Sequence, residues 1–74
     1  MEHEFERQVD LVRETLARIQ TEYLDLPGLA LTPRQVQRLC SVHPEVCDAA
    51  LNELVAMTFL TKRKDGSFQR VTVR

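Results

Sequence analysis

Seventy-four residues, 43% hydrophobic and 28% charged, have the composition of one globular domain near the lower size limit for a self-sustaining core. A chain this short buries roughly 60% of its unfolded surface, which leaves no room for a deep catalytic cavity. The net charge of −1 is unevenly spread: residues 1–30 hold three Arg against seven carboxylates, and residues 31–74 hold seven cations against four. The cationic excess gathers in Lys62, Arg63, Lys64, Arg70 and Arg74 and points to a polyanionic partner more than the whole-chain balance does.

The start Met1-Glu2-His3-Glu4 is wrong for a secretory signal, and the longest uncharged runs, such as Leu54 to Thr61, fall far short of the ~20 residues that span a bilayer. A cytoplasmic protein is expected. Phe5, Val9, Val12, Leu16, Ile19, Tyr23 and Leu26 recur at alternating spacings of four and three, one apolar stripe along a long first helix from about Glu4 to Asp25. Glu14 and Arg18 are placed for an i, i+4 ion pair on its outer side. Pro27-Gly28 ends it, with the glycine expected to take up the reversal. At about 33 Å this helix is roughly twice what a compact three-helix domain needs. Its N-terminal half therefore predicts a homodimer contact through Phe5, Val9, Val12 and Leu16, because an uncovered stripe usually finds a partner.

Leu29-Ala30-Leu31 reads as a short extended piece. Thr32-Pro33-Arg34-Gln35 opens a second helix: Thr32 caps, Pro33 suits the first turn, and Gln35 completes a T-x-x-Q capping box. Val36, Leu39 and Cys40 form its inner face, and Ser41-Val42 a turn into Pro44, which starts a third helix. At 100° per residue, Cys47, Ala50, Leu51, Leu54 and Met57 fall on one arc. Glu45, Asp48, Ala49, Asn52, Glu53 and Ala56 fall on the opposite one, with Val46 and Val55 at the borders. Phe59-Leu60 begins a strand, Asp65-Gly66 marks a hairpin turn, and Ser67 to Val73 returns. Phe68 and the Val71/Val73 pair have opposite parity, which a bulge near Gly66 reconciles.

Cys40 and Cys47 stand among apolar neighbours without a C-x-x-C pair, as buried reduced thiols do, so no metal or other cofactor is expected. Tyr23 and Phe59 read as core, and His43 as a helix-start residue. No nucleophile–base pair, paired-carboxylate site or phosphate loop is present, which speaks against an enzyme.

The stretches "EYLDLPGLALTPRQVQRL", "SVHPEVCDAALNELV" and "FLTKRKDGSF" follow the order helix, short strand, helix, turn, helix, hairpin. Over residues 18–70 the chain resembles the winged helix-turn-helix superfamily, and in particular short bacterial winged-helix proteins similar in form to regulators of the MarR and ArsR types. The resemblance implies a mainly α fold with a small β-hairpin: a domain over residues 18–74 and a helical extension over 1–17. It further implies double-stranded DNA as partner and a role as a small dimeric transcription regulator or chromosome-associated protein. Carried onto this chain, the groove-facing residues are Glu45, Val46, Asp48, Ala49, Asn52 and Glu53. Those near phosphates are Arg34, Gln35 and Arg38 on the second helix, and Lys62, Arg63, Lys64, Ser67 and Arg70 on the wing.

The departure from the pattern is the acidic third helix. A carboxylate ~7 Å from a phosphate costs about 0.6 kcal/mol in high dielectric, so three facing several phosphates oppose binding by about 2–4 kcal/mol. About five cations release enough counterions to compete with that. Because winged helices also serve in protein contacts, the alternative is an interaction module that docks this acidic face on a basic partner, without DNA.

Overall fold

The structure, a computed structural model, describes the backbone of residues 2–71 and the side chains of residues 7–71. The side chain of Phe5 and all of Thr72, Val73 and Arg74 lie outside the described residues. Three helices and three short strands follow in the order α1 (Glu2–Asp25), β1 (Ala30–Leu31), α2 (Pro33–Cys40), α3 (Pro44–Ala56), β2 (Leu60–Lys62) and β3 (Phe68–Arg70). The strands form one antiparallel sheet in the order β1-β3-β2. Phe68 stands opposite both Leu31 and Lys62.

The alternating four-and-three spacing of α1 turns Ile19 and Tyr23 fully inward, where they meet Val36 of α2 and Cys47, Ala50, Leu51 and Leu54 of α3. Leu60 and Phe68 close this core from the sheet. Burying each large side chain contributes roughly 1.5–3 kcal/mol, so these few residues carry most of the hydrophobic stabilisation. The periodicity fails at one end. Leu26 lies beyond the last helical residue and is 55% exposed, because the chain has already left the helix. Its carbonyl accepts from the Leu29 amide at 2.9 Å, forming a turn around Pro27-Gly28. That turn needs no left-handed glycine; among the described residues Gly66 is the glycine with positive φ.

Thr32 and Gln35 make the expected reciprocal cap: the Gln35 amide donates to Thr32 Oγ1 at 3.3 Å, and the Thr32 amide donates to Gln35 Oε1 at 2.9 Å. Helix α3 closes differently. The Thr58 amide donates to the Val55 carbonyl and the Phe59 amide to the Leu54 carbonyl, the paired bonds of a Schellman motif with Thr58 in the left-handed position at φ 58°. In the hairpin, the Arg63 amide donates to the Ser67 carbonyl at 2.7 Å and the Gly66 amide to the Arg63 carbonyl at 3.0 Å. With Gly66 at φ 89° this is a tight turn followed by a glycine bulge, which sets Phe68 opposite Lys62; Val73 lies outside the described residues.

Helix α1 is continuous through residues 17 and 18, and the core reaches along it past its midpoint: Thr15 is buried, and Leu16 and Val12 pack against the core. Twenty-four residues make a rod of about 36 Å. It accounts for the elongated outline of 44 × 23 × 22 Å. Among the described residues, no helix is long and apolar enough to cross a membrane.

Candidate functional site

Two surfaces carry the candidate chemistry, and consecutive elements build them. The first is the hairpin turn. Lys62, Arg63 and Lys64 are all exposed. Lys62 sits directly across from Phe68, and its ammonium lies 6.0 Å from the ring centroid, so the stem runs over the ring and steadies the charge at the rim. Asp65 completes the turn as a staple. Its Oδ1 accepts from the Ser67 hydroxyl at 2.6 Å and from the Ser67 amide at 2.9 Å. The Ser67 side-chain bond, then its backbone bond, hold the Asp65 carboxyl below its usual range, with nearby Arg63 adding a smaller contribution. The turn thus carries three cations and one committed anion.

Ser67 corrects the sequence expectation. It is 5% exposed and spends its hydroxyl on Asp65, so it presents nothing at the surface. Arg70 is half-buried and stacks its guanidinium over Phe59, 4.8 Å from the centroid, with Nε buried and unpartnered. Gln35 is exposed, but its side-chain oxygen serves the helix cap. Arg34 and Arg38 are exposed on α2.

The second surface is the outer side of α3. Glu45, Asp48, Ala49, Asn52 and Glu53 are exposed and Val46 is half-buried. The face is not uniform. Glu45, Val46 and Ala49 line a small hollow with Gln8 and Val12 of α1. Glu53 and Met57 line a larger groove of about 460 Å³ with Gln8, Val9, Val12, Arg13 and Leu16. Four of the six residues expected to face bases therefore border α1, while Asp48 and Asn52 line neither hollow. Met57 was expected on the inner arc. It is 50% exposed, because it caps the helix at the rim of the core rather than within it.

Of the expected dimer residues, Val9 is exposed at the groove, and Val12 and Leu16 are half-buried between groove and core. Among the described residues the ion pair of Arg18 is with Glu22, at 3.8 Å, and not with Glu14. At that distance and exposure it contributes little to stability. No described ion pair involves an α3 carboxylate.

The two thiols are sheltered. Burial, reinforced by Asp48 and by Cys40, pushes the Cys47 thiol up to about 11, and its Sγ donates to the Pro33 carbonyl at 3.5 Å. Burial likewise raises Cys40. Both are free and poorly nucleophilic, and no three His, Cys, Asp or Glu side chains converge among the described residues.

Sequence reasoning passed over two features of this site. The Asp65–Ser67 staple had a signal, since Asp two residues before Ser in a turn is a standard Asx arrangement. The groove between α1 and α3 had none, because it depends on how the two helices pack against each other. No protein-family model matches the chain, and comparison with curated proteins and with solved structures finds no significant match.

Proposed function

We propose that the chain is a winged helix-turn-helix protein that binds double-stranded DNA, chiefly through its phosphates, as a small regulator or chromosome-associated factor. The observation that carries this reading is the run of three exposed cations, Lys62, Arg63 and Lys64, on a hairpin that follows directly from α3. The order of helices and strands, with β1 as a third strand, is that of a winged helix and supports the same reading.

Arg34 and Arg38 add two exposed charges on α2. Five phosphate contacts give a salt slope of about −4 to −5. Helix α3 supplies position more than affinity. Asn52 is suited to pairing with adenine and Asp48 to accepting from cytosine N4, and both are exposed and line neither hollow beside α1. The test is fluorescence anisotropy with a mixed-sequence duplex at 50 mM salt. Binding at or below about 10 μM with that slope is expected, and no binding in that range overturns the reading.

A second reading rests on the carboxylates of α3. Glu45, Asp48 and Glu53 are exposed and, among the described residues, form no ion pair, which suits a basic protein partner. One substitution separates the two. Glu45→Gln, at an exposed carboxylate given no base contact, tightens duplex binding by about threefold if α3 lies against phosphates, whereas in the second reading the wild type and the variant alike show no duplex binding.

A further inference from the structure

We infer that the groove between the N-terminal half of α1 and the C-terminal end of α3 is a homodimer interface, occupied by the same surface of a second copy of this chain. Its apolar floor includes Val9, Val12 and Met57, and Val9 and Met57 are exposed in the single chain. Its two rims are of opposite sign, with Arg13 on α1 and Glu53 on α3. Neither is engaged in an ion pair among the described residues.

The occupant follows from self-complementarity. A two-fold axis requires one patch to fit its own copy, so it must offer both a ridge and a hollow, and both signs of charge. This patch does. The projecting helix offers the ridge and the groove beside it the hollow, and in the proposed dimer the two-fold axis pairs each Arg13 with the partner's Glu53. A basic or acidic ligand would satisfy one rim and oppose the other. Extent sets what the interface has to include. A standard interface covers about 800 Å² per partner. The overhang alone, some twelve residues and about 18 Å long, falls short of that. The end of α3 has to join it.

The experiment uses the full chain in sedimentation equilibrium from about 10 to 300 μM. The wild type is expected to move from 8.6 kDa toward twice that mass. Arg13→Glu and Glu53→Arg alone each weaken self-association by about tenfold or more, since each sets like charges against each other twice. Mixing the two variants restores association to within about threefold of wild type, because both cross-axis pairs are again opposite in sign. An intramolecular Arg13–Glu53 contact could not produce that rescue. Both residues are on the surface, and far-UV circular dichroism checks that the helices persist. A wild type that stays at 8.6 kDa overturns the inference and leaves the groove to a different chain. Dimers insensitive to both variants, or variants that fail to associate when mixed, overturn it as well.

Discussion

The Tyr23 hydroxyl donates a 2.7 Å hydrogen bond to the Phe68 carbonyl, 45 residues away, and accepts the Leu31 amide at 3.3 Å. One fully buried phenol thereby ties α1 to β1 and β3, and the sheet that presents the cationic turn is held to the helices through it. Tyr23→Phe keeps the ring and removes both bonds inside the core. A destabilisation of about 1–3 kcal/mol is expected in urea unfolding, with an unchanged slope against denaturant.

Alkaline pH should weaken the fold through Cys47. Its thiol is raised from 9.0 to about 11 in the folded chain, mainly by burial, so the unfolded chain ionises first. The stability this contributes is complete below pH 9 and is lost as pH rises toward 11. Tyr23, raised above 10.0 by burial, acts in the same direction at the upper end of that window. Thermal unfolding followed from pH 7 to 11 should fall steeply above pH 9. Cys47→Ala should start lower, because of the cavity, and fall less steeply.

The stripe from Val12 to Tyr23, the T-x-x-Q cap and the Asp-Gly turn were legible in the sequence because each is a local pattern that the tertiary structure reinforces. What escaped depends on geometry between elements. The exposure of Met57 reflects where α3 ends relative to the core, and the bordering of Glu53 by α1 reflects how the two helices pack. Ser67 was misplaced for a different reason. Its hydroxyl is captured by a neighbour two residues away, and a polar residue near a cationic turn looks like surface until that neighbour is considered.

The hairpin cations carry a direct test of phosphate binding. Lys62→Ala with Lys64→Ala removes two exposed charges from the turn while leaving Gly66 and the Asp65–Ser67 staple in place. The logarithmic salt slope of duplex binding should flatten by about 2, and affinity should drop similarly for all sequences. Unchanged affinity and slope in this variant would remove the hairpin from the interface.

The last prediction concerns Thr58, which follows the cap of α3 in the left-handed conformation at φ 58°. Glycine is usual there, since a Cβ crowds the following carbonyl at a cost of roughly 1–2 kcal/mol, and a β-branched side chain is among the least suited. The conformation is imposed from both sides. The Phe59 amide must reach the Leu54 carbonyl at 2.9 Å to end the helix, and β2 must begin at Leu60, which is buried. Thr58 is itself exposed, so its side chain has little packing to lose. Thr58→Gly relieves the strain but adds freedom to the unfolded chain worth about 0.5–1 kcal/mol. A net gain of about 0.5–1 kcal/mol remains, read as a rise of several degrees in the melting temperature of a domain this size. Thr58→Val, which keeps the branching without the hydroxyl, should show no such gain. A melting temperature that falls with glycine would mean that the threonine hydroxyl holds the turn, and that the strain at this position is already compensated.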